Sequence, residues 1–190
     1  MSTRLKLEFL GLPQVFLEDR PITTDRRKAI ALLAYLAVSD VSRPHQKYPR
    51  ESLSALLWPD YEQAKAFSNL RRTIWEVNQV LGEGWLLAER ESVQLHADAD
   101  MDMDLDVAHF LDLISNGCGQ QEAALRLSLL SEAVKLYRNH FLTGFSLKDA
   151  YPFNEWSFTT SEQLRHKFAE GLTLLVEDHR ALKQADQAIP

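Results

Sequence analysis

The chain has 190 residues, of which 45% are hydrophobic and 25% charged, a composition typical of globular proteins rather than of disordered or fibrous ones. No apolar run approaches the roughly 20 residues that cross a bilayer, and the N-terminus lacks the continuous apolar stretch of a secretory signal. The single cysteine, Cys118, excludes an internal disulfide and a cysteine-based metal framework. These features predict a cytoplasmic protein without membrane segments.

The net charge of −6 is distributed unevenly along the chain. Residues 1–97 contain 13 Lys+Arg and 12 Asp+Glu, a net charge of +1, whereas residues 98–190 contain 8 and 15, a net charge of −7. This difference predicts two domains with a boundary near residue 98. A first half at +1 permits contact with nucleic acid if its cations cluster, but it does not require such contact.

The first 25 residues predict a small antiparallel meander. Residues 4–10 alternate apolar with charged side chains, a period of two that is typical of a half-buried strand. Residues 14–18 repeat the pattern, residues 19–21 predict a turn, and residues 22–24 predict a third short strand.

Three helices are predicted next. Apolar residues recur at helical spacing from Asp25, a candidate N-cap, to Val38, and the polar residues 39–48 predict a loop. A short second helix has Pro49 in its first turn, and a longer third helix begins near residues 61–63 and ends at Gly82. The third helix has one apolar stripe, which comprises Phe67, Leu70, Ile74, Val77 and Leu81.

Two short apolar segments after the third helix predict a hairpin. Residues 85–88 and 93–95 flank the polar residues 89–92. A short helix followed by a longer one is the helix-turn-helix arrangement, and a hairpin after it is a wing. Residues 1–97 therefore predict an α+β winged helix-turn-helix domain.

Residues 98–190 predict an all-α domain. The acidic residues 98–106 are interpreted as a linker to a helix capped by Asp104 or Asp106, because an EF-hand loop beginning at Asp98 would place Met103 where glycine is required. Helices are predicted from there to about Ser115, over 121–137 and over 153–184, separated by a break at 116–119 and an aromatic-rich loop at 138–152. The arrangement is similar to tetratricopeptide-type helix pairs. Because no closing element precedes Pro190, this domain is expected to be truncated.

Several segments, in this order, resemble SARP-type bacterial transcription regulators. Residues 26–37, 49–60 and 66–72 are similar to the OmpR/PhoB-like winged helix of that family, and residues 104–110 and 137–145, with Glu155-Trp156, are similar to its bacterial transcriptional activator domain. The resemblance covers nearly the whole chain. It implies a sequence-specific regulator, an activator in function, that binds double-stranded DNA as a homodimer on direct repeats and has RNA polymerase as a partner.

Candidate DNA-binding residues lie opposite the apolar stripe of the third helix. Arg71 and Arg72 suit phosphate or guanine, and Asn78 or Gln79 suits adenine, although arginines on an exposed helix face are often only solvated. The basic residues 26–28 are interpreted as solvated. With cations around the second helix and at the wing tip, the candidate set comprises Arg50, Lys65, Ser68, Arg71, Arg72, Trp75, Asn78, Gln79 and Arg90.

No catalytic pattern is found in the sequence. The six histidines form no HxxxH pair, and there is no GxSxG, Walker or GxGxxG motif, so we expect no enzyme activity, no cofactor and no metal. A second hypothesis stays open because Glu76 on the third helix would repel phosphates. In that case the chain is a protein-interaction or signalling scaffold that has lost DNA binding.

Overall fold

The computed structural model describes residues 3–22, 26–82, 84–95 and 101–188. Within them the chain forms six helices and two small sheets. The strands are β1 (Thr3–Glu8), β2 (Gln14–Leu17), β3 (Arg20–Pro21), β4 (Tyr48–Pro49), β5 (Leu86–Ala88), β6 (Ser92–Leu95) and β7 (Met101–Leu105). The helices are α1 (Arg27–Ser42), α2 (Arg50–Leu57), α3 (Gln63–Leu81), α4 (Asp106–Gly119), α5 (Ala123–Leu136) and α6 (Tyr151–Ala188).

The first sheet has the strand order β3-β2-β1-β7. Strand β3 lies at Arg20–Pro21, two residues that the sequence analysis placed in a turn. The chain turns earlier because Glu18 and Asp19 both adopt positive φ, at 50° and 59°, and close a two-residue hairpin directly after β2. Residues 23–25, with the N-cap candidate and the end of the predicted strand, lie outside the described residues.

The segment interpreted as an acidic linker instead contains β7, which pairs in parallel with β1. Its aspartates alternate with apolar residues, so Leu105 is buried while Asp104 forms an ion pair of 2.7 Å with Arg4 on the neighbouring strand. This alternation is the period of a half-buried strand and was masked by the high acidity of the segment. The predicted boundary near residue 98 lies outside the described residues.

Helix α1 continues to Ser42, so the loop predicted over residues 39–48 is shorter. The helix ends at Ser42, because Pro44 disfavours helical backbone at the residue that precedes it, Arg43. The prediction that Pro49 lies in the first turn of the second helix is wrong, since Pro49 belongs to β4 and α2 begins at Arg50. A proline is tolerated there because β4 is an edge strand, paired only with β6 among the described strands.

The predicted second and third helices and the hairpin after them are present in the structure. Helix α3 begins at Gln63 and ends before Gly82, whose φ of 92° suits a residue without a Cβ. Strands β5 and β6 form the predicted hairpin. Leu70 and Val77 of the predicted stripe are buried, whereas Phe67 at its N-terminal end is only half-buried.

In the second half, α4 continues through the break predicted at residues 116–119. Gly117 is buried against α5, where an added Cβ would lie 2.6 Å from Leu130 Cδ2, so this glycine permits close helix packing rather than ending the helix. Neither predicted aspartate caps α4, because Asp106 is its first residue and directs its carboxylate to the backbone of Phe9. Helix α6 begins at Tyr151, two residues earlier than predicted.

One hydrophobic cluster includes buried residues from both sides of residue 98. The ring of Tyr35 on α1 lies 5.0 Å from the ring of Trp156 on α6 in an edge-to-face arrangement. Phe9 and Phe141 make a similar contact at 6.4 Å. The winged helix and the helical segment therefore share packing through their aromatic side chains. Among the described helices, none is both long enough and apolar enough to span a bilayer.

Candidate nucleic-acid interface

The exposed face of α3 is determined by its helical period. Leu70, Ile74 and Val77 are buried against the rest of the winged helix, so the residues between them point outward. Ser68, Arg71, Arg72, Trp75 and Gln79 are all exposed. The structure thus places most of the predicted contact residues of this helix where a ligand can reach them.

Three arginines from different elements line one recess beside α3. Arg50 comes from the start of α2, Arg71 from the middle of α3 and Arg90 from the wing tip. The recess has a volume of about 340 Å³, and Glu51 and Glu91 line it as well. Burial, and then the positive charge of Arg71, lower the pKa of Arg50. Within the described part of the chain, neither Arg71 nor Arg90 forms an ion pair with a carboxylate.

The wing is fastened to the start of α2 beside this recess. The Arg50 side chain donates a hydrogen bond of 2.8 Å from Nε to the carbonyl of Glu89, and its backbone N–H donates one of 2.9 Å to the carbonyl of Glu91. Lys47 forms an ion pair with Glu89, and this contact lowers the pKa of Glu89. The position of Arg90 relative to α3 is therefore constrained by contacts on both sides of it.

Arg72 lies on the exposed face but has an acidic partner. Its Nε is 3.0 Å from Glu76 Oε1 one turn later, and the Arg26 guanidinium is 3.2 Å from the same oxygen. Glu76, the acidic residue that motivated the scaffold hypothesis, is thus paired with two cations rather than isolated. Its carboxylate reduces the positive charge that Arg72 offers to a phosphate.

Asn78 and Gln79, the two candidates for reading adenine, have different surroundings. The Asn78 amide donates to the carbonyl of Leu86 at 3.2 Å and accepts from the N–H of Leu86 at 3.3 Å, so it connects α3 to β5. Gln79 is exposed and, with Trp75, lines a separate groove of about 360 Å³ between α1 and the end of α3. Near the start of α3, the exposed Lys65 lies 4.6 Å from the ring of Tyr61.

The basic segment at the start of α1 makes contacts that the sequence analysis missed. Arg27 donates to the carbonyl of Ser146 at 2.9 Å and stacks on Phe145 at 4.6 Å. Lys28 donates to Asp149 at 2.8 Å. These residues join the winged helix to the loop after α5 rather than being simply solvated. No local pattern predicts this, because Lys28 and Asp149 are 121 positions apart.

Comparisons with known proteins identify the fold. No protein-family model matches the chain, and no curated protein matches it. A solved structure of EmbR from Mycobacterium tuberculosis, in complex with a low affinity phosphopeptide, is similar with a TM-score of 0.73 and 17% sequence identity. The match covers 98% of this chain and 48% of that one, so the chain spans about half the length of the structure it matches. The chain therefore has the fold of that half of EmbR.

Proposed function

We propose that this chain is a DNA-binding transcription regulator that contacts duplex DNA through α3 and the wing. The observation that supports this most directly is the convergence of Arg50, Arg71 and Arg90, from three elements, on one exposed recess. Phosphate contacts supply most of the affinity of such proteins, and they require cations that face outward together, as the exposed Arg71 and Arg90 do. The resemblance of residues 26–37, 49–60 and 66–72 to the winged helix of SARP-type regulators supports the same role.

The positions of the side chains suggest which residues contact phosphates and which contact bases. Arg71 and Arg90 lie on the two elements that a winged helix applies to DNA, the helix in the major groove and the wing beside it. Ser68 is exposed one turn before Arg71, and Trp75 is exposed one turn after it. We assign phosphate contacts to the arginines and contacts with base edges to the exposed polar residues of α3. Asn78 is assigned a structural role because its amide is bonded to Leu86.

The finer parts of this proposal rest on the sequence resemblance to SARP-type regulators. We assign DNA binding to residues 1–97 and the activator role to residues 98–190, whose strand β7 pairs with β1 of the DNA-binding segment. The regulator binds direct repeats as a homodimer and acts on RNA polymerase, without enzyme activity of its own. The basic residues at the start of α1 transmit changes between the two domains, since Arg27 and Lys28 contact residues 145–149.

A protein-interaction scaffold is the second candidate function. The ion pairs of Glu76 with Arg26 and Arg72 favour it, because these two cations are already paired within the chain and offer less charge to DNA. The scaffold hypothesis predicts no binding to DNA even at low salt, which separates it from the first proposal.

The test is fluorescence anisotropy of a labelled duplex of mixed sequence, titrated with the chain at about 50 mM salt. We expect micromolar binding that weakens at least ~10-fold in the double variant Arg71→Gln/Arg90→Gln, because two phosphate contacts are lost. The matched control, Arg165→Gln/Arg180→Gln on α6, removes the same charge elsewhere and should change the affinity less than ~2-fold. Equal weakening by both pairs would show that only net charge matters. Absence of binding by the unmodified chain would favour the scaffold.

A further inference from the structure

We propose that a cleft between α1, α4 and α6 binds a planar aromatic molecule that carries a carboxylate or a similar anionic group. The cleft has a volume of about 690 Å³. This lies within the range of roughly 300–1,000 Å³ that small-molecule sites occupy. It lies on the other side of α1 from the groove that Trp75 and Gln79 line, and it shares no lining residue with the arginine recess. The proposal does not depend on DNA binding.

Aromatic rings form one wall of the cleft. The Tyr35 ring is 5.6 Å from the Tyr48 ring and 5.0 Å from the Trp156 ring, in edge-to-face geometry in both cases. Tyr35 and Trp156 are only half-buried, so part of their ring surface remains accessible at the cleft. Val107 and Leu111 of α4 add apolar surface. A flat aromatic ligand is the shape that such a wall accepts by stacking or edge contact.

A buried hydroxyl at the cleft lacks a partner. Tyr48 is 7% exposed, and its Oη accepts and donates no hydrogen bond within the described residues. Ser39 is near enough to oppose the rise that burial causes in the pKa of Tyr48, but the two hydroxyls do not have hydrogen-bond geometry. A buried hydroxyl without a partner is costly. Tyr48 lines the cleft, and a small shift of the side chains around it would let an oxygen of a bound ligand reach this hydroxyl.

The charges around the cleft select an anion. Arg43, His166 and Lys167 line it, and none of its lining residues is acidic, although the chain as a whole has a net charge of −6. Lys167 is paired with Glu170 at 2.9 Å. Arg43 is exposed and pairs with no carboxylate among the residues described. Burial raises the pKa of both Tyr35 and Tyr48, and the charge of Arg43 offsets part of that rise. Arg43 is therefore placed to bind an anionic group beside the aromatic wall.

The experiment is isothermal titration calorimetry of the full chain with 2-naphthoate and with its neutral analogue 2-naphthamide. We expect saturable 1:1 binding of 2-naphthoate, at least ~5-fold tighter than binding of 2-naphthamide, because a charge-assisted hydrogen bond is stronger than a neutral one. Arg43→Gln should reduce the affinity for 2-naphthoate to that for 2-naphthamide and leave 2-naphthamide binding unchanged. Tyr48→Phe retains the ring but removes the hydroxyl, so it should lower the affinity for both ligands about 5-fold.

Two matched variants separate these effects from general ones. Tyr151→Phe and Arg180→Gln make the same changes at exposed positions outside the cleft, and both should bind 2-naphthoate as the unmodified chain does. Tyr48→Phe should also fold normally, since it removes a hydroxyl that has no partner. Equal affinities of the unmodified chain, Arg43→Gln and Tyr48→Phe would overturn the proposal. So would the absence of saturable heat below about 5 mM ligand, a concentration far above typical small-molecule affinities.

Discussion

The carboxylate of Asp106 accepts hydrogen bonds of 2.9 and 3.0 Å from the backbone N–H of Phe9, although 97 positions separate the two residues. The same carboxylate accepts from the N–H of Leu10 at 2.9 Å and from the Arg138 guanidinium at 2.9 Å. Asp106 is 4% exposed. Burial raises its pKa, and the two amides and Arg138 oppose that rise. One side chain thus joins the end of β1, the start of α4 and the segment after α5.

We expect Asp106→Ala to destabilise the chain by about 3 kcal/mol or more, because it leaves two buried amides without an acceptor and removes the anion that faces Arg138. Urea unfolding followed by circular dichroism measures this loss. Asp112→Ala, at an exposed position of the same helix, is the control and should change the free energy of unfolding by less than about 0.5 kcal/mol. Similar stabilities of the two variants would contradict the role of Asp106.

Two glycines near the end of α4 allow a test of close helix packing. A Cβ on Gly117 would lie 2.6 Å from Leu130 Cδ2 and 2.9 Å from its Cγ, whereas a Cβ on Gly119 would meet nothing within 4 Å. Gly→Ala gains helix propensity at both positions, although the gain is smaller at Gly119, which is the last residue of α4. We therefore expect Gly117→Ala to be less stable than Gly119→Ala by about 1–3 kcal/mol, the cost of overpacking. Equal melting temperatures would show that Leu130 moves aside freely.

These sites illustrate which parts of the fold the sequence predicts. Helix α3 and the hairpin β5–β6 depend on local periodicity and on a terminating glycine at Gly82, so both are predicted correctly. In the sequence, Gly117 resembles a helix terminator. The structure shows that glycine is required there because Leu130 of a second helix approaches closely, and the sequence alone does not reveal this contact. The alternation of β7 is a local pattern, but its pairing and the bonds of Asp106 depend on a partner about 100 positions earlier. Single-sequence patterns contain no information about such partners.

The contact between Arg126 and Asp178 predicts a pH dependence. Arg126 Nε lies 2.6 Å from Asp178 Oδ2 across α5 and α6, and this hydrogen bond, more than the charge of Arg126, lowers the pKa of Asp178. A carboxylate with a lowered pKa stabilises the folded state above its unfolded pKa of about 3.9, and this contribution is lost as the pH falls through the folded value.

Asp178→Asn should therefore lower the urea midpoint at about pH 7, and the difference from the unmodified chain should shrink as the pH falls below about 4. Arg126→Gln should show the same pH-dependent loss and, in addition, a loss that does not depend on pH, because Arg126 Nη1 also donates to the carbonyl of Gln120 at 2.9 Å. The double variant should be no less stable than Arg126→Gln alone. A difference that stays constant from pH 7 to about pH 3 would show that the ion pair does not contribute.

Asn78 and Gln79 are adjacent, and the structure predicts that their substitution by alanine changes stability by different amounts. Asn78→Ala should cost about 1–2 kcal/mol of stability, because it removes both hydrogen bonds to Leu86 and loosens the wing. Gln79→Ala, at an exposed position, should change stability by less than about 0.5 kcal/mol. Thermal unfolding of both variants measures the difference. If Asn78→Ala is as stable as the unmodified chain, the amide is free to read a base.

The candidate site is only partly visible in the sequence. Periodicity alone identifies the exposed face of α3, including Arg71 and Trp75. It does not show that Arg72 is paired with Glu76 and Arg26, or that Asn78 is bonded to Leu86, because these depend on the rotamers and packing of neighbouring elements. The convergence of Arg50, Arg71 and Arg90 likewise requires the wing to fold back on α2.

The most direct test of the central claim is the salt dependence of binding to duplex DNA, measured by anisotropy between about 50 and 200 mM salt. If α3 and the wing contact phosphates, the logarithm of the affinity falls linearly with the logarithm of the salt concentration. The slope should then decrease by about 2 in Arg71→Gln/Arg90→Gln, about 0.9 for each phosphate contact removed. An unchanged slope in that variant, or binding that does not depend on salt, would contradict the proposed interface.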